Sequence, residues 1–376
     1  MTKFTPKFIT SQKNNEHYVF PYDFKYQRYY ELLYCYDITN YRWLRVTLPI
    51  SLDFEISRNN LASTNTCKFI LYNLSKEVRD LMFRDALDIG KPYNPNETGF
   101  IEVGEAEETI KEKVGEDKLR NYVELWAGYR SSNTRYLVFS GCVLSAYSYK
   151  QGVDYITEIN GYSVNLKDPL TYICYTAKAG MFYSSVIGDI AKQLTGIFEV
   201  NMDKELEDLA FTKDTVLMGT AEDILIKQFG YKPYVDNNCL NILSDKSIVT
   251  GEVATITPEK GLLESPKRTQ NGVKIKMMFE PSLRVGQVVT LQAEMEQTYN
   301  DTQFVISGFK HYGSISSVKD SQTISEVELI RGKAGYFRTP KLTVIEQKRI
   351  AKVTVQDPPS IDGYVGIADG RYRGKL

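Results

Sequence analysis

A chain of 376 residues divides into two or three domains at the roughly 150 residues of an ordinary one, which allows sizeable cores. Hydrophobic residues at 42% and charged residues at 25% exclude a disordered or fibrous chain. Lys plus Arg is 46 against 47 for Asp plus Glu, a formal charge of -1, so no global cationic field supports specific nucleic-acid binding.

Residues 1–44 form a Tyr-rich segment, with Tyr18, Tyr22, Tyr26, Tyr29, Tyr30, Tyr34, Tyr36 and Tyr41. Such rings stack on bases or sugars, or build protein interfaces; without a basic stripe the interface reading is favoured. Strict alternation over Leu52-Asp53-Phe54-Glu55-Ile56-Ser57 predicts a half-buried strand and opens a first β-barrel domain over 45–165. A second strand follows at Cys67 to Tyr72. Asn73-Leu74-Ser75 then caps a helix with Val78, Leu81 and Met82 on one face. The stretch 84–121 shifts to Gly, Pro, Asn and charges and reads as a solvated surface excursion. Strands resume at Tyr122 to Ala127, Tyr136 to Phe139, Cys142 to Tyr149 and Tyr155 to Val164. Gly128, Gly141 and Gly152 punctuate this antiparallel meander.

Residues 166–250 read as a small α+β domain. Pro169 to Ala177 is a strand, and Ser185 caps a helix carrying Val186, Ile187, Ile190, Ala191 and Leu194 up to Gly196. Thr220 caps a second helix, with Asp223 in the acidic place of a capping box and Gly230 at the end. Lys232 to Val235, the turn Asp236-Asn237-Asn238 and Cys239 to Leu243 form a hairpin. Period-two alternation returns at Val273 to Met277, Val288 to Ala293, Phe304 to Ile306 and Ile324 to Leu329, which gives a second β-barrel domain over 251–334. Residues 335–376, with Pro340, Pro358, Pro359 and five glycines, read as an extended C-terminal tail. The expected fold is therefore α+β and mainly β: two similar antiparallel β-barrels separated by a small α+β domain.

The two β domains match each other in series. Val123-Glu124-Leu125-Trp126-Ala127 parallels Val289-Thr290-Leu291-Gln292-Ala293, and Val138-Phe139-Ser140-Gly141 parallels Val305-Ile306-Ser307-Gly308. Leu125 to Gly141 spans 16 positions and Leu291 to Gly308 spans 17; from each Gly to Glu158 or Glu326 is 17 and 18. Antiparallel barrels in general share alternation and turn glycines, so the common order of the matches carries the duplication.

The chemistry-bearing residues are few. Cys35, Cys67, Cys142, Cys174 and Cys239 are never nearer than 32 positions, which excludes a CxxC redox pair and a zinc knuckle. With only His17 and His311, no HExxH site is possible. There is no GxxxxGK[ST] or GxGxxG, and Asn165 stands where a GxSxG elbow after Gly161-Tyr162-Ser163 needs Gly. No catalytic, cofactor-binding or metal residue is therefore nominated, no cofactor is expected, and the chain is read as a non-enzyme. The apolar runs fall short of the roughly 18 residues of a membrane helix and the opening lacks a signal-peptide core, so no membrane anchor is expected. The rival reading is a carboxylate-dependent glycosidase or a glycan-binding module acting at the cell surface. A retaining enzyme needs two carboxyls about 5 to 5.5 Å apart.

Five segments carry a resemblance to a known family: Cys67 to Ser75, Leu125-Trp126-Ala127-Gly128-Tyr129, Val138 to Gly141, Gly261-Leu262-Leu263-Glu264-Ser265-Pro266, and Phe279-Glu280-Pro281-Ser282-Leu283-Arg284-Val285-Gly286. In this order the chain resembles the baseplate or tail hub proteins of bacteriophages and related contractile injection machines. The resemblance reaches from about 45 to 330 and implies a ring-shaped homotrimer with two similar barrels per chain. It also implies partners: the tail tube protein, a central spike or tip protein and other baseplate proteins. The expected place is the virion tail, after assembly in the host cytoplasm. The family brings no catalytic signature, and the Tyr-rich start, the excursion and the tail lie outside what it covers.

Overall fold

The computed structural model describes residues 27–344 except 38–41, 61–64, 84–120, 130–134, 165, 167–171, 195–196, 198, 244–248, 250–253, 271, 295–298, 300–301, 317–321 and 332–340. Tyr18, Tyr22, Tyr26 and Tyr41, all but the last residue of the charged excursion, and most of the tail lie outside these residues. The fold is α+β and mainly β, with large antiparallel sheets.

Strands β1 (Arg28–Asp37), β2 (Arg42–Thr47), β3 (Leu52–Asn59), β4 (Thr66–Tyr72), β5 (Tyr122–Tyr129), β6 (Tyr136–Gln151) and β7 (Asp154–Tyr162) form one antiparallel run, in the order β3-β4-β7-β6-β5-β1-β2. Helix α1 (Lys76–Met82) follows β4, and the Ser75 hydroxyl accepts from Val78 N at 3.4 Å as its cap. Alternation explains the strands: Leu52, Phe54 and Ile56 point inward from β3 and pack with Phe69 and Leu71 of β4, while Asp53 and Glu55 face out. Each fully buried Leu, Ile or Phe adds about 1.5–3 kcal/mol.

The opening tyrosines differ from their interface reading where they are described. Tyr29, Tyr30 and Tyr34 lie buried in β1, and Tyr36 packs against the first core. The phenols of Tyr30 and Tyr34 are satisfied inside, donating to Ile50 O and Met82 O, both at 2.7 Å. A buried Tyr is tolerated when its hydroxyl finds a carbonyl. The meander also differs in detail. Tyr136 to Tyr149 is not two strands but part of the single 16-residue β6, because Gly141 marks a close approach rather than a stop. A Cβ there would lie 2.3 Å from Tyr162 O.

The middle unit holds β8 (Ile173–Ala177), helix α2 (Tyr183–Gln193), β9 (Glu199–Met202), β10 (Thr215–Gly219), helix α3 (Ala221–Phe229), β11 (Tyr234–Asp236) and β12 (Cys239–Ile242) around its own hydrophobic cluster. Thr220 accepts from Asp223 N at 3.3 Å, and Gly230 takes the left-handed conformation (φ 77), as the capping pattern predicts. Ser185 is not the cap of α2. The helix begins two residues earlier, and Phe182, its N-cap, makes no side-chain cap bond. The β11–β12 turn is carried by Asn237 and Asn238, both at positive φ (47 and 66).

The last β unit contains β13 (Ala254–Ile256), β14 (Lys267–Arg268), β15 (Gly272–Met278), β16 (Val288–Leu291), β17 (Thr302–Ile315) and β18 (Thr323–Arg331), around a third cluster that includes Ile275, Val289, Ile306 and Val327. From the tail, Lys341–Val344 forms β19. It pairs antiparallel with β9 instead of running free.

Candidate functional site

The two β units place their strands in the same order. β4-β7-β6-β5 of the first is matched by β15-β18-β17-β16 of the second, antiparallel throughout. Glu158 lies opposite Tyr147 as Glu326 lies opposite Lys310, which makes Tyr147 and Lys310 counterparts. Both long strands carry a bulge at the same point, between Val143 and Ser145 and between Ile306 and Gly308. In this register Gly308 corresponds to Ser145, four positions beyond Gly141. The two glycines therefore share a strand in the order but not a register position.

The two units are joined into one sheet. The second half of β17 pairs antiparallel with β3, from Gly308 opposite Asn59 to Ile315 opposite Leu52. A Cβ on Gly308 would come 2.8 Å from Asn59 Cβ and 2.9 Å from Arg58 O, so this close pairing needs glycine. Beneath it lies Arg58, 1% exposed. Its Nε donates to Asp236 Oδ1 at 2.7 Å, its second terminal nitrogen pairs with the same carboxylate, and its first donates to Val138 O at 2.6 Å. Its guanidinium also stands 4.9 Å from the centre of the Phe309 ring. One cation thus ties both β units to the β11–β12 hairpin, which is held further by Asn65 Nδ2 donating to Val235 O and Tyr122 OH donating to Asn238 Oδ1. His311, fully buried beside it, shares a hydrogen bond with Ser325 Oγ at 2.8 Å. Burial first, and the charge of Arg58 second, push its pKa down to about 3, so it is neutral.

The outer face of the joined sheet is a lattice of paired charges. Lys310 bridges to Glu55 across the junction at 2.7 Å, Lys68 to Glu158 at 2.9 Å, and Lys274 to Glu326 at 3.1 Å. Burial raises Glu158, but hydrogen bonds from Lys68 and Asn160 bring it net below its ordinary pKa. Glu326 is lowered by hydrogen bonds from Tyr312 and Lys274. Glu264 is lowered by Lys267 and Lys276, and Asp189 ends below its usual range through Lys192 and Tyr175 although burial opposes it. A glycosidase acid needs the opposite displacement. The thiol of Cys67 is pushed up by burial, away from nucleophilic use. Among the described residues, no cluster of three or more His, Cys, Asp or Glu is placed to hold a metal ion, and no helix is long and apolar enough to cross a membrane.

Two strand margins of the sheet have no partner strand among the described residues. β5 covers β6 only as far as Cys142, and beyond that point β6 has β7 on one side and no described strand on the other. β14, at one end of the strand order, is paired among the described residues only with β15.

A protein-family model described as "Baseplate hub gp41" matches residues 40–323. The chain belongs to this baseplate hub family. It is a structural component of the phage virion, located in the tail baseplate. No curated protein matches the sequence. Solved structures similar to the hub include the tail protein from Neisseria meningitidis MC58, at 10% identity and TM-score 0.43, covering 75% of this chain and 96% of that one. The 43 kDa tail protein of prophage MuSo2 from Shewanella oneidensis also matches at 10% identity, with TM-score 0.46 and coverage of 81% and 97%. An E. coli component of the type VI secretion system, described as structurally similar to the T4 tail proteins gp27 and gp5, matches at 10% identity and TM-score 0.43, covering 78% and 77%.

Sequence reasoning nominated no site residue in this hub, and it missed the two features that build the junction. Phe309-Lys310-His311-Tyr312 continues the alternation past Gly308, a signal that was available. Arg58 gave none, since its partner Asp236 is 178 positions away.

Proposed function

We propose that this hub is a ring-shaped homotrimer that adapts the six-fold tail tube to a three-fold spike or tip, acting as a structural part and not as an enzyme. The observation that carries the reading is the repeated strand order on one continuous sheet: three chains, each with two alike units, present six similar platforms while keeping true three-fold symmetry. The units are read as two barrels over 45–165 and 251–334, separated by the α+β domain 166–250. The tube protein meets the repeated platforms, and the spike or tip meets the three-fold side. Residues 1–44, the excursion 84–121 and the tail 335–376 lie outside the repeat and are assigned to contacts with single neighbours among the other baseplate proteins.

The structural reading is supported by carboxylates that are ion-paired and lowered, not raised. The test is the mass of the purified chain in solution together with images of the particle. A trimeric ring is expected, and a monomer at high concentration that is also absent from any ring in assembled tails would overturn the proposal. Incubation with peptidoglycan or host surface polysaccharide should release no reducing sugar; release abolished by substituting one carboxylate would establish the glycosidase instead.

A further inference from the structure

We infer that copies of the hub join head to tail by strand addition, the open half of β6 in one copy receiving the β14 edge of the next, antiparallel, with Ser148 opposite Arg268. This deepens the ring reading and rests on it, naming the edges and the register.

The internal junction is the template. β17 is the counterpart of β6, and its second half is covered by β3. The matching half of β6, residues 144–151, has no described strand there. β3 also has a counterpart in the second unit. Lys68 and Lys274 lie opposite Asn160 and Glu328, which correspond in the repeat. Their partners on the outer side are Glu55 and Lys267, so β14 stands where β3 stands. β3 covers β17; by the same geometry β14 covers β6, but only in another copy, because six strands separate β14 from β6 within one chain. His311 opposite Ile56 becomes Ser148 opposite Arg268, and Tyr312 opposite Glu55 becomes Tyr149 opposite Lys267.

Backbone and side chains both suit the pairing. Gly152-Val153 closes the β6–β7 hairpin at Gln151 and Asp154, and antiparallel alternation then turns the N–H and C=O groups of Ser148 away from β7. The hairpin after β14 likewise has Thr269 N donating to Gly272 O, which turns the backbone groups of Arg268 outward. Pro266 offers no N–H, so the added ladder is short and centred on Arg268. The β6 margin carries Leu144, Tyr147 and Tyr149 at 41%, 40% and 40% exposure, with one exposed charge at Lys150, an edge of the kind natural proteins cover. Tyr147 and Tyr149 are stacked, their centroids 6.0 Å apart, and in the proposed register they share a face with Lys267, which is held by Glu264 at 2.9 Å, while Arg268 turns to the other face. The internal junction uses Lys310 with Glu55 and Arg58 with Asp236 instead, so the two junctions are chemically distinct and each excludes the other's partner. A head-to-tail contact of this kind must close into a ring or run on into a fibre, and the hub reading supplies the closure.

The test mixes two full-length variants, Tyr149→Cys and Lys267→Cys, each also carrying Cys174→Ser to remove the exposed native thiol. Facing cysteines on adjacent antiparallel strands are within disulfide reach. Under mild oxidation the mixture should give a covalent dimer as its main product, each variant alone should stay at background, and the doubly substituted chain should give covalent rings. Shifting the partner to Arg268→Cys turns its side chain to the other face and should abolish the product. Cross-linking of Tyr149→Cys alone would mean two-fold edge pairing and overturn the inference. A ring by mass with no cross-link in the mixture would overturn these edges while leaving the ring reading intact; a monomer without cross-link at the highest concentration would overturn both.

Discussion

In the second repeat the long strand β17 is covered along both halves, by β16 over its start and by β3 over Gly308 to Ile315. In the first repeat β6 is covered by β5 over its start, and no described strand lies beyond Cys142. The same strand in the same order is thus covered along both halves in one place and, among the described residues, along only one half in the other. If copies join as inferred, the difference teaches that the repeat is a unit of assembly as well as of folding: one junction is made inside the chain and locked by a buried cation, and its counterpart receives a second molecule.

The lock should be the largest single effect. Arg58→Ala leaves the carboxylate of Asp236 buried and unpaired, and the expected loss is about 3–5 kcal/mol of folding stability, read from urea unfolding. Replacing both partners by apolar residues, Arg58→Met with Asp236→Leu, should restore much of it. Equal damage from the double variant would show that the pair, and not the packing around it, holds the junction.

The glycines come next. Gly308→Val forces β17 away from β3 and should cost roughly 1–3 kcal/mol. Gly141→Val should cost more, since its Cβ would meet a backbone carbonyl at 2.3 Å where Gly308 meets the Asn59 side chain at 2.8 Å. Thermal melts of the two variants give the order directly, and the reverse order would mean that β3 fits β17 more tightly than β7 fits β6.

The pH dependence separates the junction from the surface. His311 has its folded pKa lowered from 6.5 to about 3, so unfolding takes up a proton between those values. Its contribution is fully present above 6.5 and is lost as pH falls toward 3, by up to about 1.4 kcal/mol per pH unit. The lowered carboxylates Glu158 and Glu326 act in the same direction, but only as pH falls below their ordinary 4.5. His311→Phe should therefore flatten the fall between 6.5 and 4.5 and reduce it, without abolishing it, between 4.5 and 3; an unchanged slope would mean that the ring is not buried neutral. The smallest effect on folding belongs to the open edge. Tyr149→Ser should change the stability of the chain by no more than about 0.5 kcal/mol while reducing the share of assembled ring seen by mass.

What was legible in the sequence was local. Ser75, the Thr220-to-Gly230 helix and the Asn237-Asn238 turn each announce themselves within a few residues, because caps and positive-φ turns need particular side chains there. Strand order within each repeat was legible as well, through matched alternation. The strand β1 was hidden because its tyrosines are amphipathic and break the alternation that marks a half-buried strand. Gly141 and Gly308 look like stops, yet both sit inside long strands where another chain segment comes too close for a Cβ. They also align in sequence while their register positions differ, since each repeat needs its glycine at a different crossing. Arg58 was illegible in principle: a charged residue on an alternating strand reads as solvent-facing until the fold brings Asp236 to it.

The central claim, that each chain contributes two like platforms to one ring, is tested most directly by the rotational symmetry of the purified assembly in projection. The account predicts a ring of three chains whose averaged images carry a strong six-fold modulation over a true three-fold one. Rings with any other number of chains, or a trimer in which the two repeats lie at different radii so that no six-fold modulation appears, would contradict it.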